Sequence, residues 1–180
     1  MSPASYRCSL LVLALLAGAA FAGDLPDSSD EYRVKALFLF NFAKFVEWPN
    51  ALPGDGISIG ILGDDPFGDM LAQTIAGKTV NGHGFIVRHV KPEQARQCQI
   101  VFVAASERKH VRAVLDAVAG SPVLTVGDMH GFAQAGGVID FEIIDSKVRF
   151  EVNLEAAERA RLKLSSKLLS LAKIVREGKE

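Results

Sequence analysis

Two short acidic loops carry the residues best suited to binding chemistry. Asp64 and Asp65 follow the apolar run "ISIGILG", whereas Asp128, His130 and Phe132 follow the apolar run "PVLTV". Carboxylates placed in this way suit a cation or an amine and would repel a phosphate. If both runs are parallel strands, the loops lie at their carboxyl ends, where open α/β sheets bind small ligands. The sequence therefore predicts a small-ligand cleft between the loops, with helix capping as the alternative role for Asp64 and Asp65.

The rest of the sequence offers little catalytic or metal-binding chemistry. No H-E-x-x-H, C-x-x-C, G-x-S-x-G or G-x-G-x-x-G motif occurs. The four histidines are scattered, without cysteine or glutamate at ligand spacing: His83, His89, His110 and His130. We therefore expect a protein that is not an enzyme and that uses no metal and no cofactor.

The first 22 residues have the pattern of a secretory signal peptide. One basic residue, Arg7, precedes a short apolar run that ends in Ala20-Phe21-Ala22. The run is shorter than the roughly 20 residues that a membrane-spanning helix needs. We expect cleavage between Ala22 and Gly23 and export of the mature chain, with an uncleaved N-terminal anchor as the alternative.

Composition limits the mature chain to one domain without a disulfide framework. Removal of residues 1–22 leaves 158 of the 180 residues, enough to bury a core. The chain has a formal net charge of −1 and no basic patch, which argues against nucleic acid as a partner. Cys8 leaves with the signal peptide, so Cys98 is the one cysteine that remains. Its apolar surroundings favour a buried thiol, and an intermolecular or redox role is the alternative.

Apolar runs alternate with helical patterns along the chain, which predicts a parallel sheet covered on both faces. One helix is predicted to begin at the acidic loop after "ISIGILG" and another at Ser106. The segment "VIDFEIIDSKVRFEVN" alternates apolar and polar residues across Asp145-Ser146, which predicts a β-hairpin. The last stretch, "NLEAAERARLKLSSKLLSLAKIV", is predicted to be a helix in one or two pieces, with a break near Ser165-Ser166. Its apolar stripe consists of Leu164, Leu168, Leu171, Ala172 and Val175.

The sequence therefore predicts an α/β fold in a single domain. The sheet is mixed and mostly parallel, with helices on both faces and a C-terminal β-hairpin plus helix. The predicted segments are a signal peptide over 1–22, a flexible leader over 23–30, the α/β domain over 31–176 and a tail over 177–180.

The first helix gathers much of the aromatic content and is predicted to run to about Glu47, before Pro49. At 100° per residue its predicted buried face consists of Val34, Leu37, Phe38, Asn41, Phe45 and Trp48. Asn41 either ties down a loop or lines a pocket, because a buried amide needs hydrogen bonds. Tyr32, Phe40 and Lys44 lie off this face.

Several stretches, in order, resemble the YfiR family, also known as the domain of unknown function DUF4154. They span about residues 31–175 and read "YRVKALFLFNFAKFVEWP", "IGILGDDPFGDML", "CQIVFVAASE", "PVLTVGDMHGFAQAGGVIDF", "KVRFEVN" and "LKLSSKLLSLAKIV". The aromatic opening that ends in E-W-P and the S-S-K-L-L ending are together quite specific.

The resemblance implies a periplasmic regulator rather than an enzyme. YfiR-like proteins hold an inner-membrane diguanylate cyclase (YfiN-like) in check by binding its periplasmic sensor domain. An outer-membrane lipoprotein (YfiB-like) can sequester the regulator, after which cyclic di-GMP rises and favours biofilm formation. Family members have a mixed sheet flanked by helices and tend to form homodimers. The best-known branch carries disulfide-forming cysteine pairs that this chain lacks, so intrachain redox gating is not expected here.

The sequence leaves two functional interpretations open: a regulator that binds a sensor domain, and a module that binds a small ligand. Many members of the family are encoded beside sensor kinases, so the partner's output is either a cyclase or a kinase. We hypothesise that Tyr32, Phe40 and Lys44 contact the dimer mate or the sensor domain, because exposed aromatics favour interfaces. Alternatively, the C-terminal helix covers Phe40. The rival function is a periplasmic module that binds a small ligand in the acidic cleft and serves a sensor kinase or transporter.

Overall fold

The structure, a computed structural model, describes residues 28–50 and 56–178. The predicted signal peptide, its cleavage point between Ala22 and Gly23, and Cys8 lie outside these residues. The helices are α1 Ser28–Phe45, α2 Asp69–Ile75, α3 Val111–Val118, α4 Leu154–Arg159 and α5 Ser166–Leu169, with 3-10 turns at Pro92–Gln97 and Ala105–His110. The strands are β1 Val46–Glu47, β2 Ile57–Leu62, β3 Phe85–His89, β4 Ile100–Val103, β5 Leu124–Gly127, β6 Ile139–Ile144, β7 Lys147–Asn153, β8 Lys163–Leu164 and β9 Lys173–Val175.

The strands form one mixed, mostly parallel sheet, as predicted, and it contains seven strands. Their order is β3-β2-β4-β5-β6-β7-β9, and every neighbouring pair is parallel except the β6–β7 hairpin. β1 and β8 form a separate two-stranded ribbon. The carboxyl ends of β2, β4 and β5 lie along one edge, so the loops that follow these strands lie near one another.

Both faces of the sheet are covered, which confirms the predicted layers. One core holds the inward side of α1 and α2 against alternate residues of the central strands, such as Ile59, Ile100 and Val126. A second, smaller core packs α3 against the opposite side of β4. Cys98 lies in this second core as a free, buried thiol. Among the helices that the structure describes, none is both long enough and apolar enough to span a membrane.

The predicted buried face of α1 is wrong in part: Phe38, Phe45 and Trp48 pack against the core, but the most buried residues are others. The helix begins at Ser28, within the predicted leader, and its buried residues are Lys35, Ala36, Leu39, Phe42 and Ala43. Val34 and Leu37, predicted to be buried, are 39% and 43% exposed, and Asn41 is only half-buried. The helix is apolar around most of its circumference, so periodicity alone does not choose a face. The two alanines allow close approach to the sheet, and a buried ion pair fixes the rotation.

The predicted C-terminal helix is also wrong in part. The break near Ser165 is real, since Ser165 accepts a hydrogen bond from the Leu168 backbone and begins the short helix α5. Beyond α5 the chain becomes strand β9, which pairs in parallel with β7. Leu171, assigned to the buried stripe, is 65% exposed. The last strand was missed because three residues carry too short a pattern to oppose the helical one.

Side chains expected to cap helices stabilise loops instead. Asp65 Oδ1 accepts a hydrogen bond from the Phe67 backbone at 2.8 Å, and α2 itself begins later, at Asp69. Ser106 Oγ accepts one from the Asp64 backbone at 2.9 Å. This second bond ties the loop after β2 to the loop after β4.

The hairpin turn at Asp145-Ser146 is confirmed, and its geometry generates a stability prediction. Both residues have positive φ, 50° and 57°, as a type I′ turn requires. Glycine adopts this conformation without the strain that a Cβ brings. Ser146→Gly should therefore raise the free energy of unfolding by about 0.5–1 kcal/mol in urea titrations.

The matched control is Ser170→Gly. Ser170 is also exposed, but its φ is −66°. Glycine there should lower stability, because it adds flexibility to the unfolded chain and removes the hydrogen bond that Ser170 Oγ donates to the Lys167 carbonyl. Equal effects at the two serines would contradict the strain argument.

Candidate functional site

A buried lysine joins the first helix to the end of the sheet. Lys35 lies on α1 with 2% of its side chain exposed. Its Nζ lies 2.5 Å from Oδ1 of Asp128, the residue after β5, and also contacts the carboxylate of Glu31 one turn earlier. Tyr32 donates its hydroxyl hydrogen to Oδ2 of Asp128 at 2.8 Å. These four residues are called the Lys35 cluster below.

The Lys35 cluster compensates charges that would be unstable if buried alone. Two carboxylates offset the free-energy cost of removing the ammonium group from water. Nζ also lies 4.5 Å from the Tyr32 ring centroid, a cation–π contact. Burial raises the pKa of the Tyr32 hydroxyl, and the hydrogen bond to Asp128 and the charges of Asp128 and Glu31 raise it further. The hydroxyl therefore stays protonated and remains a donor.

Tyr32 also connects the two acidic loops. Its ring packs edge-on against Phe67, with centroids 5.5 Å apart, while its hydroxyl reaches Asp128. Phe67 belongs to the loop after β2 and Asp128 to the loop after β5. The structure thus brings together Tyr32 and Asp128, which the sequence had assigned to two different sites.

A second buried carboxylate anchors the loop of residues 128–137. Asp140 on β6 is fully buried and accepts hydrogen bonds from the backbone of Phe132 at 2.9 Å and of Met129 at 3.4 Å. Burial raises the pKa of Asp140 to about 6, against the opposing effect of the hydrogen bonds from Phe132 and Met129; the charge of Glu151 adds to the increase. Asp140 thus binds the loop much as an anion sits in a backbone nest.

Phe132, a predicted ligand residue, lies inside the second core with 1% of its surface exposed. A Cβ at Gly127 or Gly137 would lie within 2.2 or 2.1 Å of its ring. These two glycines therefore allow the ring to pack against the backbone. The glycine density of the loop reflects this packing, which the sequence left open as tight turns or close backbone approach.

Further polar side chains on the same side of the sheet hold the loop from below. Asn153 donates to the Ala133 carbonyl at 2.8 Å, and Gln134 donates to Glu151 at 2.7 Å. Burial opposes ionisation of Glu151, but hydrogen bonds from Lys173 and Gln134 outweigh it and keep its pKa below the usual value. Lys173 on β9 lies 2.5 Å from Glu151, and this bond raises the lysine's own pKa. The last strand and the loop are thereby linked.

The predicted cleft residues do not form one site. Asp128 and His130 line an open cavity of about 530 Å³, and Glu142 and Arg108 also line it. His130 is 87% exposed, and its Nδ1 lies 3.9 Å from Glu142. The lining of this cavity includes neither Asp64 nor Asp65.

The first acidic loop has its own contacts. Asp64 is exposed, whereas Asp65 lies 3.5 Å from His89. Within residues 28–50 and 56–178, no three His, Cys, Asp or Glu side chains form a group suited to a metal ion. Ligand binding at either loop stays a prediction.

Phe40 and Lys44 lie on the side of α1 opposite to Lys35. The Phe40 ring packs against Phe85 of β3, with centroids 5.6 Å apart, so a ring of the edge strand shields part of it. Two ammonium groups flank the same ring: Lys44 Nζ at 5.6 Å and Lys78 Nζ at 4.9 Å. Neither lysine has an ion-pair partner among the residues the structure describes. The role of Tyr32, Phe40 and Lys44 in partner binding stays a prediction.

Sequence reasoning missed the residues that hold the site together: Lys35, Glu31, Asp140, Glu151 and Asn153. A signal for some of them was present. Asp140 and Glu151 are polar residues in the alternating pattern of the hairpin strands. If only one face of the hairpin is taken to be buried, such residues are expected to face solvent. Their burial depends on the loop that folds over them, and alternation does not encode that loop.

The Lys35 cluster predicts a large loss of stability when its cation is removed. Lys35→Met should lower the free energy of unfolding by about 3–5 kcal/mol, because Asp128 and Glu31 are left without their shared cation. Adding Asp128→Asn to this variant should recover part of the loss. Urea denaturation measures both effects. Lys109→Met, at an exposed position, is the control, and an equal loss there would contradict the account.

Asp140 predicts a pH dependence. Its pKa is about 6 in the folded chain against 3.8 for the ordinary side chain, so its contribution favours folding at low pH and is lost as pH rises from about 4 to 6. The free energy of unfolding of the wild type minus that of Asp140→Asn should fall by on the order of 2–3 kcal/mol across this window. A difference that is constant with pH would overturn the assignment.

Comparisons with solved structures find a similar fold. The chain superposes on a conserved domain protein from Vibrio cholerae O1 biovar El Tor with a TM-score of 0.57 at 10% sequence identity, covering 77% of this chain and 59% of that one. It also matches the ABC domain in complex with L-Trp from Streptococcus pneumoniae with a TM-score of 0.49 at 12% identity, covering 69% of this chain and 57% of that one. The chain thus spans under two thirds of both, and the first likeness supports the fold alone.

The family comparison is more specific. The model of the family DUF4154, described as YfiR/HmsC-like, matches residues 32–173. The match begins at Tyr32 in the Lys35 cluster and ends at Lys173, which binds Glu151 beneath the loop. It therefore includes every residue of the Lys35 cluster except Glu31, the whole loop of residues 128–137 and the first residue of β9. The chain belongs to the YfiR/HmsC-like family, DUF4154.

Proposed function

We propose that this protein is a periplasmic regulatory binding protein that represses an inner-membrane diguanylate cyclase through the cyclase's periplasmic sensor domain. The observation that carries the proposal is the family match over residues 32–173. The family is regulatory rather than catalytic, and membership supports a role in cyclic di-GMP signalling in general. Repression, the cyclase partner and the periplasmic location are the proposed refinements, together with control of biofilm formation.

The outer side of α1 is the proposed contact for the sensor domain. Lys44 and Lys78 present two cations beside the Phe40 ring, next to the open edge of strand β3. A half-exposed aromatic flanked by cations suits a partner surface with carboxylates around an apolar centre. Tyr32 enters this proposal only indirectly, because its hydroxyl is engaged by Asp128. An outer-membrane lipoprotein of the YfiB-like kind is the proposed competitor for the regulator.

The alternative is a small-ligand module coupled to a sensor kinase or transporter. The observation in its favour is the open cavity beside Asp128 and His130, where carboxylates and the Arg108 guanidinium face the same space. The two functions are compatible, since a ligand that binds one conformation better can change which partner is bound.

Deletion of the gene tests the proposal. Cellular cyclic di-GMP should rise when the gene is removed, because the cyclase is no longer repressed. Complementation with the full chain should restore the level, whereas a form without residues 1–22 should not, because the mature domain would stay in the cytoplasm. The measurement is nucleotide extraction followed by mass spectrometry.

Two further complementing forms sharpen the test. Lys44→Glu should fail to restore repression while folding normally, whereas Lys109→Glu, on a distant exposed turn, should restore it. An unchanged nucleotide level on deletion would refute repression of a cyclase. A saturable thermal shift of the purified protein with a small amine would then favour the ligand module.

A further inference from the structure

A cavity of about 200 Å³ lies between α3 and α4, beside the second core. We name it the α3–α4 cavity. None of the described residues that line it also lines the cavity beside Asp128 and His130. A concave, mostly apolar surface with a few polar groups is the usual form of a small-ligand site. The buried part of its lining consists of Val118, Val123, Thr125, Val138 and Ala156.

Two guanidinium groups also line the α3–α4 cavity, Arg112 from α3 and Arg159 from α4. Both side chains are exposed, so they stand at the mouth of the cavity, whereas the valines lie inside. Arg112 Nε lies 3.3 Å from Oδ1 of Asp116, one helical turn later, so its charge is already paired within α3. Arg159 is therefore the cation that a ligand can engage, and a guanidinium binds a carboxylate through two parallel hydrogen bonds.

The segment that follows β9 supplies a carboxylate to this arginine. Glu177 Oε2 lies 2.8 Å from Arg159 Nη2, and Glu177 lines the α3–α4 cavity as well. A Cβ at Gly136 would lie 3.3 Å from Glu177 Oε1, so the carboxylate also approaches the end of the loop of residues 128–137. Gly178, the next residue, donates its backbone N–H to the Gln134 carbonyl at 2.9 Å. The chain's own carboxylate thus occupies the position that a carboxylate ligand would take.

A buried hydroxyl in the same cavity has a hydrogen to donate. Thr125 on β5 is 3% exposed, and its Oγ1 accepts a hydrogen bond from the Val138 backbone at 3.0 Å. Within residues 28–50 and 56–178, no side-chain or backbone atom accepts the hydrogen of this hydroxyl. A buried donor without an acceptor is unfavourable. Thr125 is therefore suited to an oxygen atom of a ligand in the α3–α4 cavity.

We propose that the α3–α4 cavity binds a small carboxylic acid with a short apolar stem and a further oxygen acceptor, and that Glu177 competes with this ligand. The ligand's carboxylate replaces Glu177 on Arg159, its stem lies against the buried valines, and its second oxygen accepts the Thr125 hydrogen. Arg159 and Glu177 are 53% and 37% exposed, and ion pairs this exposed add little stability, so an external carboxylate can displace Glu177. The site does not depend on the proposed regulatory function.

Isothermal titration calorimetry of the purified protein with levulinate tests the proposal. Levulinate carries a carboxylate, a short apolar stem and a ketone oxygen, and it should bind saturably. Valerate lacks the ketone oxygen and should bind about fivefold more weakly, because the Thr125 hydrogen then has no acceptor. Levulinamide lacks the negative charge and should bind about tenfold more weakly or not at all, because it cannot replace Glu177 on the guanidinium.

Four variants assign the contacts. Glu177→Gln should strengthen levulinate binding about fivefold, because the internal competitor loses its charge, and such a gain cannot arise from a folding defect. Arg159→Gln should weaken binding about tenfold or more. Thr125→Val should bind levulinate and valerate equally, whereas Thr125→Ser should keep the preference for levulinate. Circular dichroism identifies any variant that fails to fold.

The matched control is Lys147→Gln, which removes an exposed positive charge on the β6–β7 hairpin, outside the lining of the α3–α4 cavity. It should leave the affinity for levulinate unchanged. Three outcomes would overturn the proposal. One is a wild type and a Glu177→Gln variant that both fail to bind levulinate. Another is binding that Arg159→Gln leaves unchanged, and the third is an affinity that Glu177→Gln does not raise.

Discussion

The buried ammonium group of Lys35 is the constraint on which the arrangement of the first helix depends. A lysine with 2% exposure must face its carboxylates, so Asp128 at the end of β5 fixes how α1 is rotated on the sheet. That rotation turns Ala36 and Ala43 inward and Val34 outward. The same ion pair therefore determines both the packing of the core and which apolar groups of the helix reach the surface.

The mixed sheet also has a buried polar layer beneath the loop of residues 128–137. The antiparallel hairpin places Asp140, Glu151 and Asn153 on the side away from α1, where β4 contributes valines. These polar groups bind the loop's backbone and side chains, so they replace apolar packing with directed hydrogen bonds. Each of these groups has a hydrogen-bond partner in the loop, and together they hold the loop in one conformation. A buried polar network is stable when its groups are satisfied in this way.

The fold class was predictable because it depends on patterns that repeat over many residues. Apolar runs at β2, β4 and β5 and the turn at Asp145-Ser146 are strong signals, and all of them are confirmed. The face of α1 was not predictable, since the helix is apolar almost all round and the deciding contact joins Lys35 to a residue 93 positions later. The buried role of Phe132 depends likewise on glycines on two separate strands and turns.

The separation between interior and surface explains what a regulatory fold of this kind needs. The polar groups with the strongest constraints, Lys35 and Asp140, hold α1 and the loop of residues 128–137 in place. Other side chains lie nearer the surface: Phe40 is partly buried between two lysines at one edge of α1, and Ile143 on the β6–β7 hairpin is 45% exposed. A protein that acts by binding others gains from this division, because a rigid interior lowers the entropy cost of presenting an apolar surface.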